Sequence, residues 1–220
     1  MKKTYKKTYK KEIIKLLKDL KVLSKATMFA YFNKGENTAR NRKLERDIAE
    51  LIEAKKILKI RLAGKKHKTI KKNRLNKKVY YSLSPVLYHK EHSALVELVA
   101  SLKLLQGHKL VVETAFREFG SNVRSDITVF ENGETIYYEI ENEDKTQRAW
   151  KTKFDEYARF GLLEQLKVVC SSERMMEKLQ EFMAEFYKDN SLKGISLVSQ
   201  YDNVVESKLG KYVKKVIIKN

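Results

Sequence analysis

The stretch RSDITVFENGETIYYEIENEDK, from Arg124 to Lys145, decides how the rest of the chain is read. At its centre stands Asn132-Gly133, a pair that accepts positive φ and so marks a tight hairpin turn. On either side SDITVF (125–130) and ETIYYEIE (134–141) carry the β-branched and aromatic residues that suit strands. Asp126 opens the first strand, and the second runs out into Glu139, Glu141 and Glu143, spaced by two. A strand points alternate side chains to one face, so this spacing stacks the three carboxylates along one edge of a sheet. Like charges held that close repel. Two explanations are open: a cation between the acids, or an exposed strand end where glutamates aid solubility. A sheet covered by helices on both faces favours the cation.

Outward from the hairpin, helices and strands alternate. EHSALVELVASLKLLQG (91–107) predicts a helix with Leu95, Leu98, Val99, Leu102 and Leu105 on one face and Gly107 as its stop. HKLVVETAFREF (108–119) predicts a strand carrying Glu113. After the hairpin, DKTQRAWKTKFDEYARF (144–160) predicts a helix burying Trp150, Phe154 and Tyr157 or Ala158. QLKVVCSS (165–172) reads as a strand, MMEKLQEFMAEFYKDN (175–190) as a helix with Leu179, Phe182, Met183 and Phe186 inward, and GISLVSQ and YVKKVIIKN as further strands.

Charge divides the chain. Residues 1–90 hold 28 Lys+Arg against 7 Asp+Glu, a net +21, whereas residues 91–220 carry a net −2. A lysine bias in composition alone would spread evenly, so the split points to a polyanionic partner for the first half, most commonly nucleic acid. In that half KKEIIKLLKDLKVLS (10–24) places Ile13, Leu16, Leu17 and Leu20 at helical spacing. Ser24 caps a second helix, SKATMFAYFN, ended by a turn at Lys34-Gly35. A third begins near Asn37-Thr38, turns Leu44, Ile48, Leu51 and Ile52 inward, and exposes Arg40, Asn41, Arg42, Lys43 and Arg46 in its opening turns. ILKIRL (57–62) and KVYYSL (78–83) then flank a tip bearing Lys65, Lys66, Lys68, Lys71, Lys72 and Arg74.

Three helices and a basic hairpin resemble a winged helix-turn-helix domain. Such a domain implies double-stranded DNA, with Thr38 to Arg46 at base edges and the tip lysines on phosphates. The basic start, KKTYKKTYKK, extends this as an arm along the backbone. Pro85, the only proline, marks the boundary between residues 1–86 and 87–220.

The order helix, three strands, helix, strand, with an acid opening the second strand and Glu-x-Glu ending the third, resembles the PD-(D/E)XK superfamily of restriction-endonuclease-like domains. The resemblance runs from residue 91 to about 175. It implies an α+β protein: a winged helix-turn-helix followed by an α/β restriction-endonuclease-like domain. It also implies Mg²⁺ or Mn²⁺ held by Asp126 and Glu139, with Glu113 as a third acid. Hard oxygen ligands suit that ion. Glu141 stands where the family has lysine, giving an E-x-E variant that a minority of members share. Lys145, or Lys151 and Lys153 on the next helix, would supply the missing charge, and Arg124 would hold a phosphate.

More narrowly, a winged helix followed by RSD…YYEIENEDKTQRAWKTKFDEYARF is similar to the replication-relaxation proteins of plasmids and conjugative elements. That implies replication initiation or DNA mobilisation, with metal-dependent nicking as the chemistry and Asp126, Glu139, Glu141 and Lys145 as the catalytic set. A homodimer, or partner proteins of a replication or transfer complex, would accompany it. The alternative is a non-catalytic DNA-binding regulator that keeps the nuclease-like unit for dimerisation or for gripping DNA.

Other classes fit poorly. No apolar run reaches the roughly 20 residues of a membrane span, so a cytoplasmic protein is expected. One cysteine, Cys170 in an apolar run, rules out a zinc finger and reads as a buried thiol. His67, His89, His92 and His108 never stand one residue apart, which excludes paired-histidine nicking chemistry, and no glycine-rich phosphate loop occurs. Tyr137 and Tyr138 read as strand core.

Overall fold

The computed structural model describes residues 8–32, 38–60, 79–85, 90–115, 124–142, 145–187 and 192–201. Outside them lie the basic arm at residues 1–7, the turn at Lys34-Gly35, the hairpin tip from Lys65 to Arg74, Glu143 and the final YVKKVIIKN. The described residues are mixed α+β, with two sheets among them.

The first sheet is small. Helix α1 (Lys10–Leu20) buries Ile13, Leu16, Leu17 and Leu20, as their spacing requires. It stops earlier than the run of lysine and leucine suggests. Lys21 adopts a φ of 60° and its N–H returns to the Leu17 carbonyl, closing the last turn. The next three residues form a strand that periodicity does not reveal, β1 (Val22–Ser24). Ser24 Oγ then accepts from the Thr27 amide at 3.2 Å, capping α2 (Lys25–Phe32) as expected. Helix α3 (Thr38–Glu53) turns Leu44, Ile48 and Leu51 inward, with Ile52 half-buried. Strands β2 (Leu58–Ile60) and β3 (Tyr80–Ser82) complete the sheet in the order β1-β3-β2, all antiparallel.

The second sheet has five strands in the order β4-β5-β6-β7-β8. They are β4 (Lys109–Ala115), β5 (Arg124–Glu131), β6 (Glu134–Glu141), β7 (Leu166–Cys170) and β8 (Gly194–Leu197). The first three pair antiparallel, and β6, β7 and β8 pair parallel. Asn132 (φ 53°) and Gly133 (φ 83°) make the turn between β5 and β6 as their residue types predict. GISLVSQ is strand only to Leu197; residues 198–201 turn helical.

Helix α4 (Lys90–Leu105) lies on one face of this sheet, and α5 (Gln147–Arg159) and α6 (Glu173–Phe186) lie on the other. Alternation along β6 sends Ile136, Tyr138 and Ile140 to the α4 side. Tyr137 goes to the α5 side, where it joins Leu166, Val168, Trp150, Phe154, Phe182 and Leu179. Phe186 was expected inward but is 40% exposed, because it ends α6 against the ring of Phe182 instead of beneath it.

Helix α4 is more deeply covered than its sequence suggests: every residue from Ala94 to Leu104 is buried. It sits between the two sheets, so its second face packs on the N-terminal unit in one continuous core with Leu17, Leu23, Met28 and Leu44. Glu97 ties the contact. Its Oε1 accepts from the Ser24 amide at 2.8 Å, Ser101 Oγ at 2.7 Å and Thr27 Oγ1 at 3.3 Å. A buried carboxylate is tolerated when it is hydrogen-bonded in this way.

Candidate functional site

The two strands that carry the acids come apart where the acids begin. Residues of β5 and β6 pair up to Ile127 opposite Tyr138 and no further toward Asp126. On the other side, β4 pairs with β5 at Val112–Ile127 and Thr114–Ser125, omitting Glu113 and Asp126 between them. Glu113 has a φ of 58°, a left-handed conformation that costs a non-glycine residue free energy and here interrupts the ladder opposite Asp126 without changing its register. Asp126 is therefore unpaired in both ladders. Its carboxylate fills the gap: Oδ2 accepts from the Ile140 amide at 2.7 Å, and Oδ1 lies 3.0 Å from His92 Nε2 on the first turn of α4.

Glu139 and Glu141 share one face, as the two-residue spacing requires. Both are wholly buried, not the exposed strand end that solubility would call for. Helix α5 makes this burial tolerable. Trp150, Lys153, Phe154 and Tyr157, at i, i+3, i+4 and i+7, form one face toward the sheet. Their apolar bodies build the core while three polar tips meet the acids. Lys153 Nζ lies 2.5 Å from Glu139 Oε2 and 3.4 Å from Glu141 Oε1. Tyr157 donates to Glu139 Oε1 at 2.6 Å, and Trp150 Nε1 to Glu141 Oε2 at 3.4 Å. Lys145 reaches Glu141 from just before the helix, at 2.8 Å. Thr146, whose hydroxyl accepts from the Ala149 amide at 3.3 Å, starts α5 at the point that aims these side chains.

The charges shift one another strongly. Burial pushes the Glu139 carboxyl up; Lys153 pulls it down, Asp126 pushes it up again, and it comes to about 8. Burial also acts against the Asp126 carboxylate, but the hydrogen bond and charge of His92, then Lys153 and the Ile140 amide, outweigh it and hold it at about 2. Burial lowers the Lys153 ammonium, but Glu139, Glu141 and Asp126 together raise it above its ordinary value. His92 is raised too, because Asp126 overcomes burial. Cys170 is buried, and burial, then the Glu141 charge, pushes its thiol up to about 12. So placed, it does not act as a nucleophile near neutral pH.

Of the residues singled out from the sequence, Asp126, Glu139, Glu141 and Lys145 form this constellation. Among the three lysines considered for the missing charge, Lys153 and Lys145 reach the acids. Lys151 pairs instead with Asp155 at 2.9 Å on the exposed side of α5. Arg124 is exposed at the start of β5, and Glu113 is exposed on β4. Among the described residues, no group of three or more His, Cys, Asp and Glu side chains is arranged to hold a metal ion. Asp126 and Glu139 remain as two hard carboxylates. Each carboxylate offers about four lone-pair sites, and their protein partners leave some unused. Their four oxygens are of the hard type that divalent ions prefer, and each is bonded within the protein.

Sequence reading missed His92 and the polar roles of Tyr157 and Trp150. His92 lies 34 residues from Asp126, and no local spacing joins them. Tyr157 was visible only as a core residue of its helix.

A second surface lies on α3. Arg40, Arg42 and Arg46 are exposed, Asn41 and Lys43 are half-buried, and Thr38 opens the helix. Lys43 Nζ sits 5.8 Å from the centre of the Tyr9 ring. Asp47, buried beneath, accepts from the Tyr9 amide at 2.8 Å and so fixes α3 against the start of α1.

No helix among the described residues is long and apolar enough to cross a membrane. Comparison with protein-family models, with curated proteins and with solved structures gave no match to the chain.

Proposed function

We propose that this is a DNA-binding protein of a mobile element, acting in replication initiation or DNA mobilisation, which finds duplex DNA with residues 1–86 and cuts one strand with a metal-dependent site on β5 and β6. For the first part, the support is the chain order α1-β1-α2-α3-β2-β3 and the sheet order β1-β3-β2, which are those of a winged helix, together with the basic face of α3. For the second, the order α4-β4-β5-β6-α5-β7 around a mixed sheet is that of a restriction-endonuclease-like core.

One observation carries the reading. Asp126 and Glu139 stand on adjacent strands that part at this point, and a lysine delivered by the following helix bonds Glu139 and acts on Asp126 through its charge. Lys153 thus offers the ammonium that the E-x-E sequence lacks, and it is positioned to hold a phosphate oxygen or the attacking water. Tyr157 and the Ile140 amide hold the two carboxylates in place. Asp126 and Glu139 would hold Mg²⁺ or Mn²⁺, which supplies an activated water and neutralises charge on the scissile phosphate.

The test is supercoiled plasmid incubated with the protein and Mg²⁺ or Mn²⁺, beside Asp126→Ala, Glu139→Ala and Lys153→Met. Nicked circles from the wild type, lost in all three variants, are expected. Plasmid left intact with every metal favours a second reading, a non-catalytic regulator whose nuclease-like unit grips DNA or dimerises. A specific observation supports that one: all four oxygens of Asp126 and Glu139 already have partners within the protein.

A further inference from the structure

We infer that α3 reads duplex DNA in the major groove through Arg42 and Arg46, which grip two guanines about two base steps apart, while Lys43 meets the backbone. The inference deepens the DNA-binding reading above and rests on it.

Ala39, Arg42, Lys43 and Arg46 line one shallow groove on the molecular surface. They stand at i, i+3, i+4 and i+7, a single stripe along the helix. At 100° per residue, the core residues Leu44, Ile48 and Leu51 lie about 180° to 240° round from Arg42, so the stripe points directly away from the core. Asn41 is about 100° off it and half-buried, which takes it out of the stripe.

Three of the four acids of α3 are engaged elsewhere, and the fourth, Glu53, ends the helix seven residues beyond Arg46. Glu45 pairs with Lys25 at 3.2 Å, Glu50 pairs with Lys10, and Asp47 accepts from the Tyr9 amide just before α1. Among the described residues neither Arg42 nor Arg46 makes an ion pair, so both guanidinium forks remain available to a ligand. Lys43 is drawn toward the Tyr9 ring, at the flank of the stripe.

Residue type separates base reading from mere charge. The chain holds 37 lysines and 10 arginines, yet three of those arginines fall within residues 40–46. A lysine serves as a point charge against phosphate, but only arginine offers a planar fork that matches guanine O6 and N7 together. Arg42 and Arg46 are separated by one turn, a rise of about 6 Å, against about 3.4 Å per base pair. That spacing sets the two guanines about two steps apart. Ala39, a turn earlier, carries only a methyl group, which leaves room for the helix to approach.

The experiment starts from the full-length protein and a random-sequence duplex library, from which bound sites are selected and sequenced. Affinities for a selected duplex and an unselected one are then measured by fluorescence anisotropy for wild type, R42K and R46K. Selected sites are expected to share two guanines about two steps apart. Each lysine variant should lose about 10- to 100-fold on the selected duplex. On the unselected duplex it should stay within about 3-fold, since the charge is kept. Replacing the matched guanine by 7-deazaguanine should weaken the wild type and leave the corresponding variant unaffected. Lysine variants that match wild type on the selected duplex, or duplex binding with no sequence preference, overturn the guanine assignment and leave the DNA-binding reading intact. If the wild type binds no duplex even at low salt, that underlying reading fails, and this inference with it.

Discussion

Replacing Glu139 by glutamine tests whether burial or the Lys153 ion pair governs this site. The carboxyl comes to about 8 in the fold against an ordinary 4.5, so between those values the native state holds a proton that the unfolded chain has released. Wild-type stability must then fall as pH rises through that interval. At about 1.4 kcal/mol per pH unit, the interval corresponds to about 5 kcal/mol. Glu139→Gln keeps an acceptor for Tyr157 but has no proton to lose. Urea unfolding in EDTA, at steps from pH 5 to pH 9, should show two proteins of similar stability at pH 5. They should diverge until the variant is more stable by about 4 kcal/mol at pH 9, the part of the interval that lies above pH 5. Mn²⁺ added to the wild type should restore more stability at pH 9 than at pH 5, because the metal needs the ionised carboxylate. A variant as pH-dependent as the wild type, or less stable than it at pH 9, would refute the reasoning. The ion pair with Lys153 would then outweigh desolvation.

Two further outcomes follow from the same contacts. Asp126, held at about 2 against 3.8, contributes stability that is present above pH 4 and lost as pH falls toward 2. Asp126→Asn should remove about 2 kcal/mol of that acid-limb loss, measured as the difference from wild type in urea unfolding between those pH values. Glu97→Leu leaves the buried Ser24 amide and the Ser101 hydroxyl without their acceptor. It should cost about 2–4 kcal/mol and speed hydrogen exchange at both Ser24 and the α4 amides, whereas Glu97→Gln should keep most of the stability.

Much of the fold could be read from the chain because it is carried by local rules. Asn132-Gly133 accepts positive φ whatever surrounds it, so the β5–β6 hairpin was visible before any packing was known. The helical spacing of Ile13, Leu16, Leu17 and Leu20, and of Trp150, Phe154 and Tyr157, named the buried faces of α1 and α5. Strand β1 escaped notice because three residues show no period; Val22–Ser24 is a strand only because β3 lies beside it. Phe186 fits the helical spacing of α6 and still ends exposed, at the last residue of the helix and against the Phe182 ring.

The acid site divides the same way. Alternation along β6 fixes Glu139 and Glu141 on one face, and the acid opening β5 was apparent from its place after a polar turn. Which lysine of α5 meets them was decided by the packing of that helix, since Lys151 and Lys153 are two residues apart and only the helix phase separates them. His92 is brought to Asp126 by the seating of α4 between the two sheets, a long-range contact that no spacing encodes. Local patterns act over a few residues through backbone geometry, so the sequence alone determines strands, turns and buried faces. The protonation of Glu139 and the partners of Asp126 depend on solvent exclusion and on charges from distant elements, and these exist only once the helices have closed over the sheet.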